Sequence, residues 1–178
     1  MKPRIPQKQK DYVRSFCRQV SPGQQPIYVK HEPLRGKPLR ECFSIVPEHI
    51  SINGGKQHFG WAIVELRKVW LEAEFHVIWE RQDGVLIDLT PRETLIERIL
   101  FLPDPKREYE GRQVQSVFKA LSKKPSVKRF IQLAEEFFIA TNEGDLADVQ
   151  RGIIDCPRGA EIENEMHELM RQIAAEHP

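Results

Sequence analysis

Three runs near the middle of the chain read as strands by their period and their wealth of β-branched and aromatic residues: Gly60–Leu66, Trp70–Glu80 and Val85–Thr90. Short connections that include Arg67-Lys68 and Gln82-Asp83-Gly84 separate them. Runs of that period with such short connections predict an antiparallel meander, and everything else in the chain has to be arranged around it.

The flanks read differently. Val13, Phe16, Cys17 and Val20 fall at i, i+3, i+4, i+7 and predict a helix over Asp11–Val20 with Cys17 in its buried stripe. Pro26–Lys30 reads as a short strand. Ile96–Leu102 fits either a strand or the end of a short helix begun after Pro91. Further on, Val114, Val117, Phe118 and Leu121 suggest one helical stripe, Val127, Phe130, Ile131, Ala134, Phe137 and Phe138 a second, and Ile162, Met166, Leu169, Met170 and Ile173 a third. Pro125 suits the first turn of the middle helix. Asn142-Glu143-Gly144-Asp145 and Cys156-Pro157-Arg158-Gly159 read as the loops between helices. The expected layout is α+β, with an antiparallel sheet packed against a cysteine-bearing helix and a helical C-terminal third. In domain terms this divides the chain into an α+β core over 1–110 and a helical extension over 111–178 packed on it.

At 178 residues with 40% hydrophobic and 30% charged side chains, the composition is that of an ordinary globular chain. No run approaches the roughly 18 apolar residues of a membrane span, and Met1–Lys10 lacks the apolar centre of a signal peptide. A cytoplasmic location without membrane contact is the expectation. Residues 1–40 hold ten basic and two acidic side chains while residues 134–178 hold three and eleven, so the two ends are expected to attract each other. Lys123-Lys124 with Lys128-Arg129 reads as a solvated helix face, so nucleic acid is an unlikely partner. No phosphate-cradling glycine loop is present.

The three cysteines, Cys17, Cys42 and Cys156, lie far apart without a C-x-x-C, which suits neither a disulfide framework nor a zinc site. Cys42, however, precedes His76 in the second β-run and Asp88 in the third. A thiol attacks as its thiolate, and so needs an imidazole to take its proton and a polar group to orient that imidazole. Register decides whether the last two can meet. A two-residue Asp83-Gly84 loop would send His76 and Asp88 to opposite faces. A three-residue Gln82-Asp83-Gly84 loop, with Gly84 left-handed, pairs Arg81 with Val85 and Ile78 with Asp88, and makes His76 and Asp88 diagonal neighbours on one face. The second is preferred, since it also gathers Phe75, Val77, Trp79, Val85, Ile87 and Leu89 on the other face.

Cys42 follows Pro38-Leu39-Arg40-Glu41, where a helix can start, and free N–H groups at a helix start favour a thiolate and a developing oxyanion. Arg40 adds positive charge, while Pro47 is expected to cut the helix short. Asn53 and Gln57 are candidate second oxyanion donors, and Glu74 could tune the imidazole. Singly, each of these residues reads as structural: a small buried thiol, a strand histidine, a turn aspartate.

The order Cys42, His76 with Trp79 three residues on, Asp83-Gly84, and Asp88-Leu89-Thr90-Pro91 resembles the core of the transglutaminase-like and wider papain-like cysteine hydrolase group over about residues 38–91. Where that group often has Gly-x-Cys followed by Trp, this chain has Arg40-Glu41-Cys42-Phe43. The resemblance implies acyl transfer at an amide of a protein or peptide, with Cys42 as nucleophile, His76 as general base and acid, Asp88 as its orienting partner, and neither metal nor cofactor. The competing expectation is a non-catalytic binding or assembly module of the same fold that docks a protein partner through the C-terminal helices. Solvent-open Cys42 beside His76 would favour the enzyme; buried and distant Cys42 would favour the module.

Overall fold

The structure, a computed structural model, describes residues 1–142 and 156–177. It is α+β and divides into two compact units. One comprises Arg4–Val64 and Ala73–Tyr109; the other comprises Met1–Pro3, the hairpin tip Glu65–Glu72, and the chain from 110 onward.

In the first unit, α1 (Asp11–Val20) forms over the span its periodicity predicts, with Val13, Phe16 and Cys17 buried. It is followed by β1 (Ile27–His31), α2 (Cys42–Asn53), β2 (Lys56–Leu66), β3 (Trp70–Glu80), β4 (Leu86–Asp88) and β5 (Arg98–Pro103). The meander β2, β3, β4 is present, and β1 and β5 complete a circuit in the order β2-β5-β1-β4-β3 that returns to β2. Ile96–Leu102 thus resolves as strand, because β5 is gripped on both edges, by β1 through Val29↔Ile99 and by β2 through Trp61↔Leu102. The one parallel pairing, His31↔Asp88, joins β1 to β4 across a crossover that holds α2 and the long hairpin.

The turn after β3 settles the register. Arg81 N–H donates to Val85 O at 2.9 Å, Gly84 N–H to Arg81 O at 2.9 Å, and Gly84 has φ +84°. Trp79 pairs with Ile87 and Glu80 with Leu86. This is the three-residue loop, and the pleat therefore carries His76 and Asp88 on the same face. Val77, Trp79, Ile87 and Leu89 form the buried opposite set against Ile45 and Val46 of α2. Val85 does not join them: it is 43% exposed, because it closes the turn instead of continuing the strand.

Pro47 does not cut α2 short. The helix runs 12 residues with Pro47 inside it. Its ring forfeits one hydrogen bond, to the carbonyl of Phe43, and the buried contacts of Ile45 and Val46 offset that loss.

In the second unit, Leu66, Val69 and Trp70 of the hairpin tip pack with Val127, Phe130 and Ile173. Trp70 and Phe130 stack at 4.6 Å. The helices are α3 (Pro125–Thr141), begun by Pro125, and α4 (Pro157–Glu176). The stripe of Val114, Val117, Phe118 and Leu121 is not helical: Val117–Ala120 is a strand, β6, that pairs with β3, while Leu121 and Ser122 N–H groups reach the Val69 carbonyl. A free strand edge outweighs a helical spacing only four residues deep. Cys156–Gly159 is likewise not a loop but the start of α4, with the Cys156 sulfur accepting from Gly159 N–H. Most of the other expected loop, from Glu143 to Asp145, lies outside the described residues.

No helix among the described residues is long and apolar enough to cross a membrane. The basic residues near the N-terminus pair locally, Arg14 with Asp11 and Lys37 with Glu48, and the acidic residues of the C-terminal helices pair with Arg129 and Arg158.

Candidate active site

Cys42 is the first residue of α2, so its N–H is among those a helix cannot satisfy internally. The approach to it is tightly held. Arg40 adopts φ +62°, a left-handed conformation that costs a non-glycine residue about 1–3 kcal/mol, and its N–H donates to Pro91 O at 3.1 Å. Glu32 and Leu34 N–H groups bond the carbonyls of Asp88 and Leu89. The segment leading to the cysteine is thereby laced to the segment Asp88–Pro91, which brings the two ends of the motif together. The Arg40 side chain itself turns outward and pairs with Glu93 at 3.2 Å. Its contribution to the site is this backbone bend.

His76 is buried in the middle of β3. Its Nε2 lies 2.9 Å from Asp88 Oδ1, and the Cys42 side chain is the other group that acts on the ring. Burial alone would strip the proton from this ring. The electrostatic pull of Cys42 and of the Asp88 carboxylate, with their hydrogen bonds, outweighs it and holds the imidazolium up to about 10. Burial likewise disfavours ionised Asp88, yet His76, then Arg92 and the Thr90 N–H at 3.2 Å, keep the carboxyl down at about 2. The arrangement is an imidazolium between a sulfur and a carboxylate, all three enclosed.

Cys42, His76 and Asp88 are therefore brought together. One expected property is missing: Cys42 is only 3% exposed, packed with Ile45, Val46 and Leu89, so the sulfur is not open to solvent. Glu74 stands at the margin, 3.9 Å from Arg92 Nη1. Asn53 does not serve as an oxyanion donor. It ends α2, roughly 16 Å of helix away from Cys42, and its amide bonds His49. Gln57 is excluded by similar geometry: its neighbours Lys56 and His58 both pair with Glu80, four residues and roughly 13 Å along β3 from His76.

Two residues near the triad carried no signal in the sequence. His31 lies across from Asp88 in the parallel pair, its Nε2 4.0 Å from Asp88 Oδ2. Arg92 Nε is 3.6 Å from the same oxygen. Only the i, i+4 spacing of Asp88 and Arg92 could have hinted at the second, and nothing in the linear order announces the first. Among the described residues, Asp88 Oδ2 has no hydrogen-bond partner.

Comparisons with protein families, with curated proteins and with solved structures give no match, so the reading of this site stands on its residues and their geometry.

Proposed function

We propose that this chain is a thiol-dependent acyl-transfer enzyme of the transglutaminase-like and papain-like kind, acting on an amide of a protein or peptide. The observation that carries the reading is the buried imidazole shared between the Cys42 sulfur and the Asp88 carboxylate. A solely structural histidine needs no sulfur on one side and carboxylate on the other, and the helix start adds an unpaired N–H where negative charge would develop.

The Cys42 thiolate attacks the amide carbon, forming a C–S bond as the carbonyl electron pair moves to oxygen, where the Cys42 N–H receives it. Collapse of that intermediate breaks the C–N bond, and His76 gives its proton to the departing amine. In the second half a water or an incoming amine hands its proton to His76 and attacks the thioester, and the C–S bond breaks. Hydrolysis and deamidation share water as the acceptor and differ in the amide attacked, whereas cross-linking replaces water with an amine. Asp88 keeps the ring oriented throughout. A nucleophilic thiol is suited to a compartment that keeps thiols reduced, which makes the cytoplasm the proposed location.

The low exposure of Cys42 favours a second reading, in which the same fold is a non-catalytic module and the thiol is a small buried side chain. Incubation with p-nitrophenyl acetate separates the two. The enzyme reading predicts an acetyl thioester on Cys42, labile to hydroxylamine, and at least about tenfold less of it in His76→Ala, where the general base is gone. Acetylation confined to surface amines, or indifferent to His76→Ala in folded protein, would leave the module.

A further inference from the structure

The unsatisfied oxygen of Asp88 is the feature the triad leaves over. Asp88 Oδ1 is bonded twice, to His76 and to the Thr90 N–H. Asp88 Oδ2 is fully buried and accepts no hydrogen bond. A buried carboxylate oxygen in that state is costly unless positive charge stands beside it.

His31 answers that need through its own bonds. Its side chain is 2% exposed. Nδ1 lies 3.1 Å from the carbonyl oxygen of Ile96, and Nε2 lies 2.9 Å from the carbonyl oxygen of Thr90. A carbonyl oxygen can only accept, and a neutral imidazole has one N–H to give. Both bonds are made only if both nitrogens carry protons. The strand pairing that sets His31 opposite Asp88 then leaves the resulting cation 4.0 Å from the orphaned oxygen.

We infer that His31 is a positioning residue of this site: an imidazolium pinned by the carbonyls of Thr90 and Ile96, whose charge fixes the second oxygen of Asp88 while the first serves His76. The inference rests on the reading of Cys42, His76 and Asp88 as the catalytic set, and it makes that set one layer deeper.

The surroundings of His31 are accounted for from each side. Asp88 and, beyond it, His76 face it from β4 and β3. Arg92 approaches the same carboxylate oxygen at 3.6 Å and is drawn the other way by Glu74 at 3.9 Å. From the β5 side, the His31 N–H is taken by the Glu97 carbonyl, while Arg98 is paired with Lys30 and lays its guanidinium over Tyr28. Of the two cations near Asp88 Oδ2, Arg92 is 16% exposed and its Nε makes no hydrogen bond, whereas His31 is anchored at both nitrogens. Rigid placement belongs to His31. It also ties β1 to both ends of the 90–96 segment, so that the strand supplying the charge holds the chain that follows Asp88.

The test has two readouts. Nitrogen NMR of protein labelled in its histidines, with His31 assigned from the signal missing in His31→Gln, should show protons on both ring nitrogens at neutral pH. A bare nitrogen overturns the inference. The second readout is the pH profile of Cys42 alkylation by iodoacetamide. Gln keeps a donor for one carbonyl but has no charge, so His31→Gln should move the profile to higher pH by about one unit, about tenfold in rate on its acid side. A role in packing alone would lower stability without displacing the profile. An undisplaced profile in His31→Gln, or displacement in Arg92→Gln alone, assigns the charge elsewhere and overturns the inference. If His31→Gln fails to fold, selective labelling and the wild-type spectrum decide. Should His76→Ala leave alkylation unaffected, the acyl-transfer reading fails while the His31 spectrum still reports on its own ring.

Discussion

Asp88 holds a full negative charge where no water reaches it, and each of its neighbours is arranged to make that tolerable. His76 and the Thr90 N–H bond one oxygen, and Arg92 and His31 stand near the other. Because its carboxyl is brought from the ordinary value near 3.8 to about 2, the folded state binds this proton less readily than the unfolded chain does. The sign follows: the contribution to stability is complete above about pH 4 and disappears as the pH falls through about 2. Urea midpoints measured from pH 5 downward should therefore drop for the wild type. The drop should be smaller in Asp88→Asn, which starts less stable at pH 5 because it forfeits the ion pair; equal slopes would contradict the assignment. At this scale the shared face of His76 and Asp88 was legible from loop parity. His31 was not, since its partner Thr90 is 59 residues away and they meet only through a parallel pairing with no local signature. The low exposure of Cys42 was also illegible: a helix-start cysteine can look into a cleft or into the core, and the choice depends on what Ile45, Val46 and Leu89 pack against.

Among the elements, the hairpin β3–β4 carries the site and its loop sets the phase. The Gln82-Asp83-Gly84 connection was readable because an Asp-Gly pair preceded by a free residue allows only two registers, and the apolar pattern favours one. α2 and β6 were less readable. A proline in the sequence speaks of a lost hydrogen bond but not of the packing that outweighs it, and four residues of Val117–Ala120 are too few to distinguish periods of 2 and 3.6. Two glycines make the energetic point separable. A Cβ at Gly84 would meet nothing within 4 Å, so Gly84→Ala costs only its left-handed backbone, about 1–2 kcal/mol. At Gly60 the backbone φ is ordinary, but a Cβ would fall 2.3 Å from the Leu102 carbonyl and 2.6 Å from Phe101 Cζ, where β2 is paired with β5. Gly60→Ala must spread that pair, at a cost on the order of 3 kcal/mol. Denaturant midpoints should fall further for Gly60→Ala than for Gly84→Ala; the reverse order would mean that β2 and β5 are not held this closely.

Over the whole molecule, the two units each have a core of their own, one around α2 and the strand pair β3–β4, the other around Trp70 and Phe130. The three thiols sample different surroundings within the same chain. Cys17 is buried in α1, where burial pushes its thiol up to about 11. Cys156 caps α4, donating to the Ala140 carbonyl. Among the described residues, Cys42 is the thiol that acts on an imidazole, that of His76. That makes the chain its own control for the central claim, that His76 activates one particular sulfur. The direct measurement is residue-resolved iodoacetamide labelling by mass spectrometry across neutral pH, in the native protein and in folded His76→Ala. The account predicts that Cys42 reacts first despite its burial, that Cys17 stays unmodified, and that His76→Ala slows Cys42 by about tenfold or more while leaving Cys156 as it was. Labelling led by Cys156, with Cys42 silent in both proteins, would contradict it.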